Sequence, residues 1–160
     1  MGIQELSAQL WHERELLELL TFKLEEEQLL LTAGKSRWIQ HATREVEGAV
    51  ALLRASGLAR DLQVVAVAEE WGAGEGATLR DLALAAPEGP WGDILMRHLM
   101  VMTEQAERIK ELRDANGQFL RAAARSTQEA LAGHRAEAGT YDARGMTAPA
   151  DASRLFDAKL

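Results

Sequence analysis

The chain has no cysteine, which excludes disulfides, thiolate metal sites and cysteine nucleophiles together. Aromatic residues make up only 5%, while alanine, leucine, glutamate and arginine dominate; that balance favours helix over sheet. Prolines number three and stand clear of the helical patterns, so long helices can run uninterrupted. Long apolar runs are absent too. The longest, Val64–Ala68 and Leu82–Ala86 among them, have five residues each, far short of the ~18 that a membrane span needs. Met1-Gly2-Ile3-Gln4-Glu5 lacks the basic start and apolar centre of a signal peptide, so a cytoplasmic protein is expected by elimination. Nor is there a basic surplus. With 25 acidic against 18 basic residues the net charge is −7, which disfavours a nucleic-acid partner.

What is present is helical periodicity. At 160 residues the chain suits one domain, or one domain with a tail. Ile3, Leu6, Leu10, Leu17, Leu20, Leu24 and Leu31 fall on steps of three, four and seven, an amphipathic helix with a coiled-coil-like seam in which Glu13 and Glu27 take two of the seam positions. Residues 1–31 hold seven glutamates against Arg14 and Lys23, a balance of 2 − 7 = −5, which reads first as a solvated face and second as a field for a basic partner. Beyond Gly34 and Ser36 the stripe resumes at Trp38, Ala42, Val46, Ala49 and Leu53 with its phase shifted. This is one long helix to about Ala55 with a stutter, or two helices nearly in line. Ser56-Gly57 reads as a stop and Leu58–Trp71 as a shorter helix, apolar through Leu62, Val65 and Val67. Gly72–Gly76 is a break, and Thr78 caps a short helix over Leu79–Ala86.

Pro90 suits the first turn of a last helix. Its stripe runs through Leu95, Leu99, Met102, Ala106, Ile109, Leu112, Asn116, Phe119 or Leu120, Ala123, Thr127 and Leu131, and Glu104 precedes Arg108 in the favourable i,i+4 order. From Trp91 to Ala132 it measures about 63 Å at 1.5 Å per residue, so it is expected to lie antiparallel along the first helix with the middle helices on one side. The expected fold is all-α: an elongated antiparallel helical hairpin or bundle with two long helices, shorter middle helices, a helical domain over 1–133 and a flexible tail over 134–160. Leu155, Phe156 and Leu160 make that tail's end amphipathic, and it is a candidate to occupy an apolar groove elsewhere in the chain.

Chemical motifs are lacking. Gly34-Lys35-Ser36 resembles the end of a phosphate-binding loop, but Leu29 stands where the first glycine belongs and the preceding segment is helical. His12, His41, His98 and His134 are scattered, and no Glu-x-x-His pair exists, so neither a two-metal bundle site nor a zinc motif is available. No catalytic site, metal or cofactor is expected. Asn116 stands where the last helix calls for an apolar residue. It either fixes helix register or marks a stretch of stripe that is not permanently buried. Alanines at 122, 123, 124, 130 and 132 follow it and leave a shallow groove suited to a partner helix. The only tyrosine, Tyr141, lies beyond the last helix on a Gly-flanked segment, which suggests a docking residue.

Taken together, the Glu/Leu-rich first helix, the break, Leu112-Arg113-Asp114-Ala115-Asn116, Phe119-Leu120 and the late Thr140-Tyr141-Asp142-Ala143-Arg144-Gly145 resemble the flagellar export chaperone family FlgN. The resemblance implies a cytoplasmic chaperone. It would hold the terminal helices of hook–filament junction (hook-associated) proteins and deliver them to the flagellar type III export gate. It implies further that Asn116, Phe119, Leu120, Ala123 and Thr127 contact the client and that Tyr141 docks on the export gate. Gly117-Gln118 stand where family members often place a second asparagine. The competing reading is a self-associating coiled-coil scaffold with no export role.

Overall fold

The computed structural model describes residues 2–138. It contains α1 (Gly2–Thr32), α2 (Ser36–Trp71), α3 (Leu79–Ala85) and α4 (Trp91–Ala138), with no strand among the described residues. The chain divides into two compact units, residues 1–119 and 120–160, and the all-α class is as expected. Within the first unit the pairing differs from expectation. The antiparallel hairpin forms between α1 and α2, while α4 runs parallel to α1.

The reason lies at Gly34. Its φ of +66° is left-handed backbone that glycine adopts without steric cost. Lys35 N donates to Leu30 O at 2.9 Å and Gly34 N to Leu31 O at 3.2 Å, the two bonds of a Schellman motif, which closes a helix and turns the chain. The shifted stripe is therefore a reversal, not a stutter. Pairs along the hairpin record its direction: Glu27 with Thr43, Lys23 with Glu45, Glu13 with Arg60. α2 then runs unbroken through Ser56-Gly57. Gly57 keeps ordinary helical backbone, and Ser56 is buried with its hydroxyl and carbonyl both accepting from Gln9 Nε2 at 2.8 and 3.1 Å. A tertiary anchor thus overrides the local stop signal. The face of α2 that packs on α1 is built from small residues, Ala42, Ala49 and Ser56, then Val64, Val67 and Ala68. Of the apolar residues Leu62, Val65 and Val67, only Val67 is buried; Leu62 and Val65 are 74% and 54% exposed.

α3 begins as the sequence indicates. Thr78 Oγ1 accepts from Asp81 N at 3.2 Å, and Thr78 N donates to Asp81 Oδ2 at 2.8 Å. This reciprocal capping box also holds the Asp81 carboxyl below its ordinary pKa. Pro90 O accepts from Ile94 N at 3.0 Å to open α4. A Cβ added to Gly92 would come within 3.0 Å of Ala83 O, so glycine permits the close approach of α3. The helix continues through Gly133 to Ala138, past the expected end, because alanine-rich neighbours tolerate one glycine.

Two apolar clusters form the core. One joins Ile3, Leu6 and Leu10 to Val64, Val67, Ala68, Leu82, Ala83 and Leu95; the other joins Leu17, Leu20 and Leu24 to Ala49, Ile109 and Leu112. A polar layer divides them: Gln9 with Ser56, Glu13 with Arg60, Arg14 with His98. A second polar node lies beyond Leu24, at Glu27, Thr43 and Asn116. Both seam glutamates of α1 are thus buried and paired across helices.

Candidate partner-binding surface

Asn116 is 2% exposed, and its Nδ2 donates to Leu24 O at 2.9 Å and to Glu27 Oε2 at 3.0 Å. The other Glu27 oxygen accepts from Thr43 Oγ1 at 2.7 Å. One carboxylate therefore joins α1, α2 and α4, and the asparagine sits at its centre with no face on the surface. Its Oδ1 is buried without a hydrogen-bond partner. The register-fixing role matches this geometry, since a slip of α4 along α1 strands both groups in apolar surroundings.

Phe119, the last residue of the first unit, is 42% exposed. In the second unit Leu120 is half-buried, and every residue from 121 to 136 is exposed. On a helix turning 100° per residue, Leu120, Ala123, Ala124, Thr127 and Leu131 fall on one face, with Leu131 56% exposed. Thr127 Oγ1 donates to Ala123 O at 3.0 Å, so the threonine hydroxyl is satisfied by its own helix and does not oppose an apolar partner. Arg121 and Arg125 flank this face. Residues 120–136 carry three arginines and one glutamate, 3 − 1 = +2, in a chain whose net charge is −7. Ala123 and Thr127 thus stand together on an exposed face, whereas Asn116 is buried. Tyr141, together with Leu155, Phe156 and Leu160, lies outside the described residues, as does most of the expected tail.

Two polar groupings were not singled out from sequence. His98 is buried at 2% exposure; its ring meets Trp11 edge-on at 5.1 Å, and Arg14 stacks over the same indole at 4.2 Å. Burial first, and the Arg14 charge second, lower the His98 pKa below its ordinary 6.5. Glu13, 5% exposed, is met by Arg60 Nη1 at 2.6 Å. Burial raises its pKa, the Arg60 charge opposes the rise and Asp61 adds to it. From Leu95 the path through Leu99 and Ala106 and the path through His98 and Gln105 keep the same three–four spacing, so spacing alone does not select the path through His98. Arg108 bonds Glu25 of α1 at 3.2 Å and Glu111 at 3.5 Å rather than Glu104. Among the described residues no group of histidines and carboxylates is placed to hold a metal ion, and no helix is long and apolar enough to cross a membrane.

The fold is an all-α body held by buried polar nodes at Glu13–Arg60 and Glu27–Asn116, and residues 121–136 of α4 are exposed. The model of the FlgN protein family matches residues 1–149, and the chain belongs to that family, whose members are flagellar export chaperones. No curated protein and no solved structure matches the chain.

Proposed function

We propose that this protein is a cytoplasmic chaperone that binds the terminal helices of hook–filament junction proteins and delivers them to the flagellar type III export gate. The observation that carries the reading is the exposed apolar face of residues 120–131 at the end of a helix whose preceding turns are locked by Asn116. An unassembled client helix exposes an apolar stripe, and such a stripe on Leu120, Ala123, Thr127 and Leu131 removes both from water. At about 25 cal/mol per Å², each 100 Å² of apolar surface contributes roughly 2.5 kcal/mol before ordering costs. The small alanines limit that area, which suits a complex that must release its cargo. Arg121 and Arg125 favour a client helix with acidic residues along one flank.

In this reading Phe119, Leu120, Ala123 and Thr127 contact client, Asn116 serves them by holding α4 in register, and Tyr141 acts later, at the gate. Titration calorimetry against C-terminal helical segments of the junction proteins tests it. Ala123→Asp is expected to abolish the binding heat and Tyr141→Ala to leave it unchanged while blocking export. Equal binding by Ala123→Asp and the parent chain would refute the assignment.

A further inference from the structure

α2 carries a second apolar stripe on the side turned away from α1. Gly48, Ala51, Ala55, Leu58, Leu62 and Val65 follow one another in steps of three and four, the spacing of a coiled-coil seam, and all six are exposed. Leu58 and Leu62 are 70% and 74% exposed, and a Cβ on Gly48 would meet nothing within 4 Å. Isolated surface leucines need no explanation, but a stripe in seam register does.

The order of sizes identifies the occupant. The first half of the stripe is small and the second half large. We infer that a second copy of this chain docks antiparallel on α2, with Ala55 opposite the partner's Leu58, Ala51 opposite the partner's Leu62 and Gly48 opposite the partner's Val65. Each large side chain then fills the space over a small one, and the two-fold axis repeats every contact. On the flanks, where neighbours across the seam are offset by two residues, Arg54 comes beside the partner's Asp61 on one side and Ala59 beside the partner's Leu52 on the other. A parallel pair would set Leu58 against Leu58 and Ala55 against Ala55, and would bring Arg54 near no acidic side chain, while Asp61 would keep only its own Arg60 at 3.0 Å. The stripe is about 26 Å long at 1.5 Å per residue, so the seam falls at the small end of specific interfaces and the dimer dissociates in the micromolar range. None of these residues belongs to the client face proposed above, so dimerisation and client binding are separable.

The absence of native cysteine makes the register directly testable on the full chain. Ala55→Cys and Leu58→Cys variants, mixed under oxidised glutathione, are expected to form a disulfide-linked dimer, while either variant alone cross-links little. In sedimentation velocity the parent chain is expected to show a concentration-dependent dimer, and Leu62→Glu to weaken it at least about tenfold with the helical circular dichroism unchanged. A chain that stays monomeric, because client or its own end covers the stripe, overturns the inference. So does cross-linking of Ala55→Cys with itself in preference to the mixture, or a dimer indifferent to Leu62→Glu.

Discussion

Replacing Asn116 by alanine removes two donors from a node that ties three helices together. One bond, to Leu24 O, joins neutral groups and contributes about 1 kcal/mol; the other, to the Glu27 carboxylate, is charge-assisted and contributes about 1.5–3 kcal/mol. The substitution also removes the unpartnered Oδ1, which returns part of that sum. The expected net loss is about 2–3 kcal/mol, read as a lower urea midpoint with an unchanged slope. Gln118→Ala, two residues on and exposed, should stay within about 0.5 kcal/mol of the parent. Asn116→Asp should cost more than Asn116→Ala, because it sets a second carboxylate against Glu27. If Glu27 is the shared partner, Asn116→Ala should cost about 1 kcal/mol less in a Glu27→Gln background, since the bond lost there is no longer charge-assisted. An Asn116→Ala loss below about 0.5 kcal/mol would refute the view that this residue locks the end of the helical body.

Other expectations follow from the same polar layers. Glu13→Leu restores an apolar seam position, and Arg60 keeps its 3.0 Å contact with Asp61; unfolding should show a gain of about 1–3 kcal/mol. His98 has a lowered folded pKa, so the unfolded chain binds more protons just below pH 6.5. Its contribution is complete above that pH and declines as pH falls through the window, and His98→Gln should remove that slope from urea midpoints measured between pH 7 and 5. The raised pKa of Glu13 acts in the opposite direction at lower pH, so the comparison must be with the parent chain at each pH. Gly34→Ala places a side chain at φ +66° and should cost about 1–2 kcal/mol in thermal unfolding.

The helical class, the α1 seam and the Thr78 cap were legible because each rests on local chemistry: a three–four spacing, or a hydroxyl followed three residues later by a carboxylate. The direction of the chain after Gly34 was not, because a left-handed glycine and a helix stutter leave the same phase shift in the pattern. The exposure of Leu62 and Val65 was not legible either, because a helix with two apolar stripes does not say which one the fold buries. That choice was made by Ala42, Ala49 and Ser56, whose smallness lets α1 approach and whose apolar signal is weak. Asn116 was found by its position, but its neighbours Glu27 and Thr43 come from helices that sequence spacing cannot bring together. Of the site residues named from sequence, Ala123 and Thr127 are exposed and Asn116 is buried, a difference that the shared three–four spacing of the stripe does not carry.

Hydrogen exchange on the full chain, with and without a C-terminal helical segment of a hook–filament junction protein, tests the central claim most directly. Amides across 120–136 should exchange fast in the free protein and slow at least about tenfold when the segment binds, with little change in the already protected turns around Leu112 and Asn116. Binding that leaves 120–136 as fast as before, with new protection elsewhere, would contradict the account.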